Sequence, residues 1–320
     1  MKLPMIIGVI GILGIPAFAS ASPPTYAITD LGLGTYVYSI AINNQVLAAG
    51  PSGDGVLFHP DGTITDLSIL VDDSAICFGP AGNAFSYGSG NNNGTEYVFT
   101  VVDSSFGRSD CGITYQNGAF TLVNYYTEGN LIGVNDSGQI IGYQEPTGFG
   151  PNCNFNDNFI FPIAINDSGQ IVADYNLSVE LCTNGNWTTL PSLPGATSYS
   201  ATAINKHGTV VGTATINGKS HGFFTSATGI TTDLGINIQV NDINALQQSV
   251  GNYTTGNNHS FMRVAGVTSD LNTLTSATDP LQPYVTFADP SVRINDNGVI
   301  AVVGTDSRTG LTHVYLLKPT

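Results

Sequence analysis

One pentapeptide in this chain has the spacing of a catalytic nucleophile. Gly218-Lys219-Ser220-His221-Gly222 fits G-x-S-x-G, the elbow that lifts a serine out of a strand-to-helix turn for acyl transfer. The flanking sequence carries no helix signal and continues into His221-Gly222-Phe223-Phe224, a strand pattern found again elsewhere in the chain. The match is therefore expected to be a strand segment. His221, His259 and His313 stand at the same place in that pattern. A histidine can hydrogen-bond through both ring nitrogens, so the expected role is to bridge strands or repeats. Equivalent positions in adjacent repeats are too far apart to ligate one zinc ion. His59 and His207 form no visible pair with one another.

The turns Asn135-Asp136, Asn166-Asp167 and Asn295-Asp296 offer one carboxylate each and lack the D-x-[DN]-x-[DN]-G spacing of a calcium loop. Hairpin chemistry accounts for them, because Asn and Asp side chains bond their own backbone in tight turns. No metal or cofactor is expected. Trp187, the single tryptophan, reads as packing, with a sugar platform as the alternative. Catalytic and ligand-binding residues stay unknown at this level.

Cys77, Cys111, Cys153 and Cys182 are even in number and outside any zinc-type spacing, which suits disulfides in an exported chain. Three pairings exist. Sequence neighbours, Cys77–Cys111 and Cys153–Cys182, are the first choice, and four free thiols are the alternative. Export is expected because residues 1–21 combine Lys2, the apolar run Met5–Ile15 and small residues at 17–21, the layout of a signal peptide. No later stretch is apolar enough to span a membrane. The formal net charge is −15; without Lys2 the mature chain carries −15 − 1 = −16. Phosphate backbones and anionic membranes would be repelled, which excludes nucleic acid as a partner.

The elements that carry these residues repeat. Ile163–Val172, IAINDSGQIV, is an apolar strand, a polar turn and a second apolar strand, and Leu131–Gly142 is its near twin. Turn asparagines follow at Asn43, Asn135, Asn166, Asn205, Asn244 and Asn295. Two intervals are 39, from Asn166 to Asn205 and from Asn205 to Asn244. Between Asn43 and Asn135 a degenerate unit is expected at Ala75–Tyr87, with Gly79-Pro80-Ala81-Gly82 as its turn. A third strand is aromatic-rich, as in Tyr97-Val98-Phe99, Phe223-Phe224 and Tyr315, and a fourth ends in Asp66-Leu67, Asp233-Leu234 or Asp270-Leu271.

A period near 40 with four strands per unit is the signature of a β-propeller. The fold expected is all-β, a single propeller over 22–320 with seven four-stranded blades, or six if the short Asn135–Asn166 interval is not a blade. Tyr26–Gly32, YAITDLG, matches a fourth strand and should close the ring. Alternating strand directions place the long strand 2–3 connections (Gly88–Thr95, Glu145–Asp157, Thr254–Asn258) and the inter-blade link Thr273–Pro290 on one face.

Pro194-Gly195-Ala196-Thr197, Ala203-Ile204-Asn205, Gly208, Val210-Val211-Gly212 and His221-Gly222-Phe223-Phe224 together resemble the bacterial extracellular HAF-repeat proteins, as do Val134-Asn135-Asp136 and Gly138–Gly142. The resemblance implies a secreted propeller and carries over no general activity. The function expected is a binding or interaction module, extracellular or periplasmic and monomeric, taking a glycan or an extracellular protein on the long-loop face. The alternatives are a polysaccharide-active enzyme with its site in the central funnel, and a structural cell-surface repeat.

Overall fold

The computed structural model describes residues 23–51, 55–67, 83–103, 110–124, 129–144, 147–155, 160–256 and 259–320. The strands form seven antiparallel sheets arranged as the blades of a β-propeller. The inner strands of blades 1 to 7 are Tyr36–Ile40, Asn83–Gly90, Gly129–Val134, Ile160–Ile165, Ala196–Ile204, Ile238–Ile243 and Val292–Ile294. Five blades are simple four-stranded meanders; blade 3 has three strands, and blade 7 adds the short strand Val285–Thr286.

Each blade presents apolar side chains on both faces, so the core lies between blades rather than inside any one. Ala203 and Val211 of blade 5 pack with Ile238, Val240, Ile243 and Phe261 of blade 6. Leu47, Leu57 and Leu67 of blade 1 pack with Tyr97, Phe99 and Ile113 of blade 2. Two inner faces about 10 Å apart are the ordinary spacing of stacked sheets.

The turn asparagines do more than close hairpins. The Asn166 Oδ1 accepts the backbone N–H of Ser168 (3.1 Å) and Gln170 (3.0 Å), and its Nδ2 donates across the blade boundary to the Asn205 carbonyl (3.0 Å). The same donation joins Asn135 to Asn166 (3.0 Å), Asn205 to Asn244 (2.9 Å), Asn244 to Asn295 (3.0 Å) and Asn295 to the Ala41 carbonyl (2.9 Å). Side-chain amides thus form a belt through five consecutive blade boundaries. The turn glycine is required as well. Gly169 has φ +73, and a Cβ there would lie 3.1 Å from the Gln139 Oε1 of the preceding blade.

The ring closes as the fourth-strand motif predicts. Tyr26–Leu33 pairs antiparallel with Leu311–Pro319, from Tyr26↔Pro319 to Leu33↔His313, as the outer strand of blade 7. The inter-blade segment 275–279 holds its other edge, with Ser276 N donating to the Tyr26 carbonyl (2.8 Å) and Ile28 N to the Asp279 Oδ2 (2.7 Å).

Three expectations are corrected. In blade 1 the position equivalent to the belt asparagine is Ala41, not Asn43: Ala41 N bonds the Gln45 carbonyl and Asn44 N the Ala41 carbonyl, with Asn44 at φ 67 in the glycine's place. In blade 2 the turn is Asn91-Asn92-Asn93-Gly94, closed by Gly94 N to the Asn91 carbonyl (3.1 Å). Tyr97-Val98-Phe99 is accordingly in the second strand, Glu96–Asp103, and the third is Asp110–Gln116. The proposed turn at 79–82 lies outside the described residues. Of the long connections, Gly88–Thr95 spans the end of an inner strand and its turn, and Glu145–Asp157 contains the third strand Thr147–Phe149. Of these three, only 254–258 lies between a second and a third strand, Ser249–Tyr253 and Ser260–Val264, and 273–290 links two blades as expected.

The short Asn135–Asn166 interval is a blade with three strands and no outer strand among the described residues. The chain after Phe149 crosses directly to blade 4, where Cys153 is bonded to Cys182 in the third strand Ser178–Thr183. The pairing of Cys77 with Cys111 and the signal peptide lie outside the described residues. Trp187 completes the staple by packing: its indole N–H donates to the Asn154 carbonyl (2.9 Å) and its ring meets Phe155 edge-on at 5.2 Å. Replacing Cys153 and Cys182 by serine is expected to lower stability by about 3–4 kcal/mol, the chain-entropy value for a loop of roughly 30 residues. Denaturant unfolding of the double variant measures this, and an unchanged midpoint would contradict it.

Candidate functional site: the central channel and its two mouths

A β-bulge recurs on the inner strands three residues before the turn position. The extra residues are Tyr38, Ile132, Ile163, Thr202 and Asn241 in blades 1, 3, 4, 5 and 6. A bulge re-aims a side chain, and all five line a central cavity of about 280 Å³. Alternating strand direction puts the inner-strand turns on one mouth of this channel, the turn face. The inner strands begin at the other mouth, the loop face.

The carboxylates lining the cavity are Asp167 and Asp296 at the turn face and Asp242 within, with Asp136 beside Asp167 on the same face. Two facing acids would mark a glycosidase. Here every one of the four accepts a backbone N–H from an adjoining blade. Asp136 bonds Asn93 N (2.8 Å), Asp167 bonds Asp136 N (3.0 Å), Asp296 bonds Ala245 N (2.7 Å) and Asp242 bonds Ile294 N (3.0 Å). Asp296 also meets Lys206 at 3.7 Å. These acids hold blades together.

Burial pushes the carboxyls of Asp136, Asp174, Asp242 and Asp289 above the ordinary range; Asp167 and Asp296 add repulsion at Asp136. A folded-state pKa above the unfolded value means stability is gained on protonation and lost as pH rises through the folded value. Opposing them, the side chain of Arg308 holds Asp306 at about 2 and hydrogen bonds from Thr63 hold Asp61 low. Their contribution is present above the unfolded pKa and falls away as pH drops below roughly 4. The thermal midpoint is expected to climb as pH is lowered from neutrality toward the unfolded carboxylate range at about 4 and to fall below it. A midpoint that only declines from pH 7 downward would contradict this.

The motifs singled out in the sequence resolve as structure. Ser220 lies in the strand Lys219–Thr225 of blade 5, and its Oγ is buried without a hydrogen-bond partner, so no base activates it. His221, His259 and His313 each hydrogen-bond an outer-strand aspartate through Nδ1, to Asp233 (3.0 Å), Asp270 (2.5 Å) and Asp30 (2.9 Å). The Asp30 pair repeats in blade 7 what single chain segments do in blades 5 and 6, which is why YAITDLG reads as a displaced fourth strand. His59 bonds Gln45 and Thr65. Among the described residues no cluster of three or more His, Cys, Asp or Glu is placed to hold a metal.

The sequence points to the loop face as the working surface but not to the aromatic residues at its mouth. Tyr36 and Phe161 occupy the same register position in blades 1 and 4, opposite Ala49 and Asp174 respectively. They are 41% and 43% exposed, and Tyr284, before blade 7, is 41% exposed. All three exposed aromatic residues of the described chain thus lie at the loop face. Only the bulge register, invisible in sequence, aligns the first two.

No family model and no curated protein matches this chain. Solved structures do match. The Pyrococcus horikoshii acylaminoacyl peptidase aligns with a TM-score of 0.50 at 11% identity, over 92% of this chain and 51% of that one. The extracellular domain of BT4673 from B. thetaiotaomicron aligns with a TM-score of 0.51 at 9% identity, over 90% and 39%. The Myceliophteria thermophila Cps50 (Swd1) β-propeller domain has a TM-score of 0.48 at 9% identity, over 90% and 97%. At such identities the likeness concerns the fold alone. Among the described residues no helix is long and apolar enough to cross a membrane.

Proposed function

We propose that this chain is an exported propeller of the HAF-repeat type, acting as a binding module whose ligand sits on the loop face. The placement of Tyr36, Phe161 and Tyr284 carries the reading. Exposed aromatic rings are costly to leave in water and serve recognition where they gather on one face of a rigid scaffold. The turn face supports it by contrast, since its asparagines and aspartates are engaged in blade-to-blade bonds. The Cys153–Cys182 bond is compatible with an oxidising compartment. Among the lining carboxylates none is left over for general acid–base work, so binding is favoured over hydrolysis.

The test is to shield one face at a time. Thr255→Cys and Leu177→Cys place a thiol on the loop face, and Leu246→Cys places one beside the turn-face mouth. Each is coupled to a bulky polymer under non-reducing conditions and applied to arrays of glycans and extracellular proteins. Shielding the loop face is expected to abolish the binding shown by the parent, and shielding Leu246 to spare it. The reverse pattern would overturn the assignment.

A further inference from the structure

The loop-face mouth has a specific composition at one register level. Tyr36 and Phe161 stand there in blades 1 and 4, and Asn130, Ser200 and Gln239 occupy the equivalent position in blades 3, 5 and 6. Seven blades share a full turn, so blades 1 and 4 lie on nearly opposite sides of the opening. Each aromatic residue is backed by a second ring: Tyr36 by Tyr38, with centroids 5.1 Å apart, and Phe161 by Tyr143 across the blade 3–4 boundary, also 5.1 Å. Tyr36 is held further by Arg293, whose guanidinium carbon is 6.0 Å from the ring centroid and whose Nη2 donates to the Tyr36 hydroxyl at 3.4 Å. Two residues further along each strand, Tyr38 and Ile163 line the cavity itself, so the rings stand just above it.

The charges at this level are engaged within the protein. The Asp174 carboxylate, opposite Phe161, accepts from the Ser200 hydroxyl (2.5 Å) and from Ala201 N (2.9 Å). Arg293 donates to the carbonyls of Tyr38 (3.1 Å) and Val292 (2.9 Å). What the mouth presents outward is therefore two buttressed aromatic platforms with uncharged amides and a hydroxyl between them. A polyanion would meet a chain of strongly negative net charge whose nearby cation, Arg293, is already committed. A pyranose offers an apolar ring face for stacking and neutral hydroxyls for the amides.

Resting on the loop-face reading above, we infer that this mouth binds an uncharged oligosaccharide laid across the opening, with one sugar stacked on Tyr36 and another on Phe161. The two platforms do not touch, so their effects should multiply.

The experiment measures affinity for cellohexaose, xylohexaose, hexa-N-acetylchitohexaose and maltohexaose, with hexagalacturonate as the charged comparison. The parent is expected to bind at least one neutral hexasaccharide and not the hexagalacturonate. Tyr36→Ala and Phe161→Ala are each expected to weaken that binding about tenfold and the double variant about a hundredfold, with Tyr36→Phe close to the parent. Both residues are exposed, and an unchanged unfolding midpoint shows that each variant is folded; a variant that unfolds early is replaced by Tyr36→Ser or Phe161→Ser. Parent protein that binds none of the neutral sugars, or that binds extended peptides instead, overturns the inference. So does a double variant that binds as well as the parent. If loop-face shielding still abolishes binding in that case, the general loop-face reading stands and only this site falls; if Leu246 shielding abolishes it, both fall.

Discussion

Asn166→Ala is expected to cost the propeller about 3–5 kcal/mol, more than deleting a typical single hydrogen bond. Two backbone N–H groups, those of Ser168 and Gln170, lose their acceptor together, and the Asn205 carbonyl loses its cross-blade donor and keeps only the Gly208 N–H. Asn166 is 5% exposed, so water cannot fully replace what is lost. Asn166→Asp separates the two halves of the role. The carboxylate still accepts from Ser168 and Gln170, but at neutral pH it faces the Asn205 carbonyl and the Gln170 Oε1 that Nδ2 now serves at 3.0 and 2.8 Å. Protonation would restore one donor. The aspartate variant's loss relative to the parent should therefore shrink as pH is lowered toward about 4, and the alanine variant's should not. Thermal unfolding of both against pH decides it. Equal, pH-independent losses would mean that the asparagine serves only its own hairpin.

Removing residues 23–33 should have a larger effect still. The buried Tyr26 ring, whose hydroxyl reaches the Gly298 carbonyl at 3.2 Å, and the buried Ile28 would leave the blade 6–7 core. At about 1.5–3 kcal/mol for each side chain, with the paired strand edge exposed in addition, the loss exceeds about 5 kcal/mol. Folding should fail, or the unfolding transition should broaden as the ring opens. Adding a Tyr26–Leu33 peptide in trans should restore part of the midpoint. A truncated protein that unfolds at the parent's temperature would show that the ring does not depend on this strand.

These two effects also mark what could be read from the chain. The period of 39, the hairpin turns and the displaced YAITDLG strand were legible because each repeats a local pattern. Blade 2 was not, for a physical reason. Its inner strand ends in Gly88-Ser89-Gly90 rather than an apolar pair, its turn has Asn92 where aspartate is expected, and its second strand carries the aromatic residues typical of a third. The aromatic signature of a third strand therefore stands one strand early in this unit. Blade 3 looked short because it has no outer strand among the described residues, and that place in the chain is taken by a segment tied down through Cys153. Hairpin chemistry sufficed to explain the asparagines, so nothing in sequence pointed to their cross-blade donation. The alignment of Tyr36 with Phe161 requires the strand pairing, since the two lie 125 residues apart by subtraction.

The claim that the loop face is the working surface is tested most directly by amide hydrogen exchange with and without a saturating neutral hexasaccharide from the binding panel. Slowed exchange is expected at the start of the inner strands, around Tyr36, Asn130, Phe161, Ser200 and Gln239, with the turns at Asn92, Asp136, Asp167 and Lys206 unchanged. Protection confined to those turns, or absent from the inner-strand starts of a sugar-saturated protein, would contradict it.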